Sequence, residues 1–66
     1  MIYKRIVDYC QRNGMSIAAF ERMCNIGNGA VSKWQHRDPS LTSLSKISKV
    51  TGLPLSYWID GDIYGD

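Results

Sequence analysis

Asn28, Ser32, Lys33 and His36 are spaced so that, on a helix turning by roughly 100° per residue, they share one side with Gly29 within an arc of about 140°. Ala30, Val31 and Trp34 fall within about 100° on the opposite side. The polar side therefore carries an amide, a hydroxyl and a cation on otherwise small residues, a set able to exchange hydrogen bonds with another polar surface. A helix held only for packing would more often carry Glu–Lys pairs there. Bond-making chemistry has no comparable support. The one histidine stands in no Cys–His–Asp grouping and no glycine-rich phosphate cradle is present, so no enzyme is expected. Cys10, Cys24 and the distant His36 fall short of the four ligands of a tetrahedral zinc site, so no metal is expected. The two thiols are read as small buried hydrophobes rather than a disulfide framework.

These residues belong to a chain of 66, one small domain whose core can be only minimal. With 44% hydrophobic and 21% charged residues the composition is that of a folded globule, and no apolar run approaches the ~20 residues of a membrane span. The start, Met-Ile-Tyr-Lys-Arg, lacks the pattern of a signal peptide, which points to the cytoplasm. The net charge of +2 conceals an asymmetry: all eight cations lie before residue 60, against Asp8, Glu21 and Asp38, while Asp60, Asp62 and Asp66 close the chain. A basic body is compatible with nucleic acid and weak evidence alone. The domain is expected over residues 1–60, followed by a short acidic tail at 61–66.

Periodicity predicts only helices. Nowhere do β-branched residues alternate as a strand requires. Residues 2–13 make a first helix with Ile2, Tyr3, Ile6, Val7, Tyr9 and Cys10 on one face, stopped by Gly14. Ser16 is positioned as an N-cap, with Met15 and Phe20 as a hydrophobic staple, and the second helix runs to about Cys24. Asn25, the residue other than glycine that best tolerates a left-handed turn, opens a short break. The staple spacing then repeats in Ile26 and Val31, with Gly27 as N-cap of a third helix over 28–35. Two helices across one tight turn make a helix-turn-helix. Pro39 interrupts the chain. A fourth helix starts near Thr42 and carries Leu41, Leu44, Ile47 and Val50, with Ser48 and Thr51 sharing the inner face and bonding back to preceding carbonyls. Gly52 ends it, with Leu53 folding back in a Schellman motif. Residues 53–59 form a last short helix with Pro54 at its start.

The segments Ser16-Ile17-Ala18-Ala19-Phe20-Glu21, Gly27-Asn28-Gly29-Ala30-Val31-Ser32-Lys33-Trp34 and Gly52-Leu53-Pro54-Leu55-Ser56-Tyr57-Trp58-Ile59 together resemble the phage-repressor, or Cro-like (XRE-type), helix-turn-helix family over residues 2 to about 60. The resemblance implies an all-α, compact five-helix, lambda-repressor-like domain that inserts its third helix in the major groove of double-stranded DNA. It also implies transcriptional repression or switching, commonly as a homodimer on a palindrome. Asn25 stands where the family usually has Gly, and Glu21 where Ala is common. The aliphatic stem of Glu21 is expected to fill the gap beneath the third helix.

Within that frame Asn28 is expected to pair with adenine, Lys33 with guanine and Ser32 with almost any base, while Gly29 lets the backbone come close. Phosphate contacts are expected from Ser16 and the Ile17 amide at the second helix start, and from Gly27 at the third, a start read as open because Gly27 has no side chain to cap it. His36, Arg37 and Lys46 are the flanking candidates. Trp34 and Tyr57-Trp58 are read mainly as core, although the cluster Tyr57-Trp58-Ile59 with the tail is the candidate dimer face. No cofactor is expected. The competing reading is a protein-interaction or antitoxin-like module of the same fold, favoured by the modest charge and the acidic tail.

Overall fold

The computed structural model describes the backbone of residues 2–64 and the side chains of residues 2–59. Among the described residues all regular structure is helical: α1 (Ile2–Arg12), α2 (Ile17–Cys24), α3 (Ala30–Lys33), α4 (Leu41–Thr51) and α5 (Leu55–Tyr64). α1 packs on α2 and α5, α4 packs on α2 and α5, and α3 leans on α2.

The apolar spacing of α1 puts Ile2, Ile6 and Cys10 in the core, with Tyr3, Val7 and Tyr9 half-buried beside them. From the other helices come Phe20 and Cys24, then Ile26, Val31 and Trp34, then Leu44 and Ile47, and finally Trp58. Trp58 is fully enclosed. Its ring lies edge-on to Tyr9 at 5.7 Å and to Tyr57 at 5.0 Å, and Tyr9 in turn meets Phe20 edge-on at 5.7 Å. Such pairs contribute about 0.5–1.5 kcal/mol each beyond their buried area. Trp58 is therefore a core residue and cannot form part of a dimer face. Of the cluster proposed for that face, Tyr57 is half-buried under the Arg5 guanidinium, 4.9 Å from its ring centroid, and only Ile59 is exposed.

Left-handed residues end the first two helices in the same way. Gly14 (φ 62°) follows α1, with the Gly14 amide donating to the Gln11 carbonyl and the Met15 amide to that of Cys10. Asn25 (φ 56°) follows α2, with its amide donating to Arg22 and the Ile26 amide to Glu21. Both are Schellman motifs. After α4 the arrangement is the simpler one: the Gly52 amide donates to the Ser48 carbonyl at 2.9 Å. The Thr51 hydroxyl bonds back to Ile47 at 2.7 Å, as predicted, but that of Ser48 reaches forward to the Leu53 carbonyl at 2.7 Å, and the Leu53 amide donates to the Thr51 hydroxyl at 3.3 Å instead of to a helix carbonyl.

Three boundaries differ from expectation. α3 spans one turn instead of 28–35, because Gly29, at φ 85°, cannot continue a right-handed helix and becomes the N-cap in place of Gly27. Beyond Lys33 the chain tightens into i→i−3 bonds from the Trp34, Gln35 and His36 amides. α4 starts at Leu41, capped by the Ser40 hydroxyl accepting from the Ser43 amide at 3.2 Å. Its inner face is narrower than expected: Leu41 and Val50 are exposed, at 68% and 45%, and Leu44 and Ile47 carry the burial. α5 begins after Pro54, and its backbone runs on to Tyr64, into the segment read as a tail. The side chains of that acidic segment lie outside the described residues.

Burial raises the pKa of both thiols, and that of Cys24, beside Cys10, reaches about 11. The folded protein should consequently resist a thiol reagent at pH 8 and release two titratable thiols on addition of denaturant. Rapid modification of either cysteine without denaturant would contradict this packing.

Candidate nucleic-acid interface

α3 is too short to persist on its own, since nucleating a single turn is unfavourable. Two things hold it. Val31 is fully enclosed and Trp34 nearly so, which anchors one side in the core. On the other axis stands Glu21, which is 5% exposed: one carboxylate oxygen accepts from the Gly29 amide and the other from the Val31 amide, both at 3.0 Å. The carboxylate thus satisfies donors that a helix start leaves unpaired, and meets their partial positive charge with a negative one.

This overturns two expectations. Glu21 does not simply fill a gap with its stem, because its head group spans the turn. The start of α3 is not open, because the Glu21 carboxylate already holds its Gly29 and Val31 amides. Gly27 is exposed, and its carbonyl accepts from the Ala30 amide at 3.1 Å, closing a turn around Asn28. The signal for Glu21 was present in the helical wheel. Residue 21 lies about 60° beyond Cys24 on the wheel, at the edge of the inward side of α2, and a carboxylate buried there must find donors.

The anchoring of Val31 and Trp34 turns Asn28, Gly29, Ser32, Lys33 and His36 outward, and all five are exposed. Asn28, Lys33 and Arg37 line one groove of about 440 Å³, together with Asp38 and the Ser40 and Ser43 of the α4 start. A second groove of about 440 Å³, on the α2 side, is lined by Glu21, Arg22, Asn25 and Asn28. Asn28 borders both, so it stands on the crest between them. Ser40, Ser43, Asp38 and Arg22 were not singled out from the sequence, where each reads as an ordinary cap, loop or surface residue.

The remaining candidates are dispersed. Ser16 caps α2, its hydroxyl accepting from the Ala19 amide at 3.1 Å, beside the half-buried Ile17. Gly29, Ser32 and His36 line neither groove. Lys46 is exposed, and its ammonium donates to the Asn25 carbonyl at 3.2 Å, tying α4 to the turn after α2. Gly29 is required for its left-handed backbone, since a Cβ built there would meet no atom within 4 Å.

A family model described as helix-turn-helix matches residues 6–58, spanning α1 to the start of α5. No curated protein and no solved structure matches the chain.

Hydrogen bonds to a charged group are worth about 1.5–3 kcal/mol. Glu21→Ala, which abandons two amides at once, should therefore cost roughly 2–4 kcal/mol and lower Tm by 10 °C or more on the scale for a domain this small. Thermal unfolding followed by circular dichroism measures it, and a Tm within a few degrees of the parent would refute the clamp.

Proposed function

The chain belongs to the XRE/Cro-like helix-turn-helix family of DNA-binding regulators, and on that premise we propose that it reads a specific duplex sequence with α3 in the major groove, as a repressor acting as a homodimer. The observation that carries this reading is the orientation of the short third helix, with Val31 and Trp34 inside and Asn28, Ser32 and Lys33 outside.

Asn28 offers the donor–acceptor pair that matches adenine N6 and N7, and Lys33 donates to guanine O6 and N7. Ser32 is short enough to contact either edge, and Gly29 adds no bulk between backbone and base. Phosphates on one flank are held by Ser16 and the amide of Ile17, where α2, capped but still carrying the partial charge of its first turn, faces outward. His36 and Arg37 serve the other flank. Gly27 borders the groove as a spacer, and Lys46 acts through the turn it braces. A single module of this size buries little DNA surface, which favours two copies on a two-fold related site. The exposed Leu41, Val50 and Ile59 are apolar material for a protein contact. They equally favour the second reading, a module of this fold that binds another protein and little or no DNA.

Selection from random duplexes at low salt separates the two, because the absence of any enriched site favours the protein partner. On an enriched site, Asn28→Ala and Lys33→Ala should each lose about 1–3 kcal/mol of discrimination at one base position. Tm should shift by only a degree or two, because both side chains are exposed. Arg37→Ala should weaken all duplexes alike and reduce the slope of log K against log salt by about one unit. Unfolding of the Asn28 or Lys33 variant would place α3 the other way round.

A further inference from the structure

We infer that Glu21 is a positioning residue for base recognition, fixing the turn that presents Asn28. The inference rests on the DNA-reading function proposed above.

The crest that carries Asn28 has almost no packing of its own. Gly27, Asn28 and Gly29 are all exposed, and the space where a Cβ would stand at either glycine is empty to 4 Å. Two glycines around one asparagine leave the backbone unusually free, and Gly29 already sits at a positive φ. Three interactions hold this segment. The Gly27 carbonyl accepts from the Ala30 amide at 3.1 Å, closing the turn. Lys46 holds the preceding Asn25 carbonyl from the α4 side. Glu21 takes the amides on the far side of Asn28, those of Gly29 and Val31, one on each carboxylate oxygen. The Gly27–Ala30 bond closes the turn upon itself, and only Glu21 ties that turn to α2 in the core, so the direction in which the Asn28 amide points is set from beneath by a carboxylate.

The same geometry makes the role specific. A two-donor cradle at a helix start is the place where a phosphate would otherwise be held. With Glu21 in it, a DNA phosphate is excluded by charge, and Asn28 is free to address a base instead of the backbone. Gln at this position has nearly the same shape but one acceptor oxygen, and its NH₂ would oppose the second amide donor.

The test is a double-mutant cycle on the selected duplex, using the parent, Glu21→Gln, Asn28→Ala and the double variant at a temperature where circular dichroism shows all four folded. Glu21→Gln should weaken specific binding by about tenfold, while binding to a scrambled duplex changes less than about twofold. In the Asn28→Ala background the same substitution should cost less than about twofold, because the side chain it positions is gone. The Gly29 and Val31 amide resonances should shift in Glu21→Gln. Equal losses in both backgrounds, an equal loss on the scrambled duplex, or unmoved amides would overturn the inference while leaving DNA reading intact. If the parent selects no duplex at all, the proposed function falls and this role falls with it. Should Glu21→Gln not fold, Glu21→Asp, which keeps the charge and shortens the reach, replaces it in the cycle with the same expected coupling.

Discussion

A single buried carboxylate holds the geometry of the turn that leads into α3. α3 contains four residues, far fewer than a helix needs to be stable alone, and it is entered through a glycine in the left-handed conformation. Its existence therefore depends on the two ends of one lever: Val31 and Trp34 sunk in the core, and Glu21 gripping the amides above them. Removing a carboxylate from water is costly, and the arrangement is favourable only because two amide donors and the partial charge of a helix start meet it at 3.0 Å.

That lever needs a rigid base, and the rest of the fold supplies one. α2 carries Glu21 between Phe20 and Cys24, both fully inside, so the carboxylate cannot swing without disturbing the core. Phe20 rests on Tyr9 of α1, and Tyr9 on Trp58 of α5, an aromatic chain running from the helix-turn-helix to the closing helix. The indole N–H of Trp58 has no hydrogen-bond partner among the described residues. An unsatisfied buried donor costs about 1–3 kcal/mol. The ring's three aromatic neighbours and complete enclosure are what offset it. In so small a domain the closing helix thus packs through Tyr9 and Phe20 onto the helix that carries Glu21.

Most of this fold could be read from residue spacing. The periodic face of α1, the stops at Gly14, Asn25 and Gly52, the Met15–Phe20 staple and the Ser16 cap are local rules, decided within a few residues, whereas the staple expected of Ile26 and Val31 falls with the Gly27 cap because Gly29 starts α3. What escaped was decided across the chain. Gly29 versus Gly27 as the start of α3 turns on which amides a carboxylate eight residues earlier can reach. Lys46 looks free in sequence and is captured by a carbonyl 21 residues away. Leu41 and Val50 follow the apolar period of α4, yet the core is too small to receive them. The outward face of α3 was legible because Val31 and Trp34 are its only large apolar residues and admit one orientation.

The charge distribution follows from the same carboxylate. With the start of α3 occupied, the domain has one fewer place to hold a phosphate through backbone amides, and attraction to a polyanion at α3 must come from side chains. Of the eight cations, Lys46 is committed to a carbonyl, Arg5 to the Tyr57 ring and Arg12 to Asp8 at 3.0 Å. Lys33 and Arg37 share one groove with Asn28 and Asp38, and Arg22 lines the other groove beside Asn28. On the proposed reading, non-specific attraction to DNA at α3 would therefore be modest, since it scales with the number of phosphates neutralised. Discrimination by the proposed function would then depend on a few well-directed base contacts, and such contacts reward accuracy of direction over density of charge. A clamp that fixes the Asn28 turn from inside the protein meets that requirement.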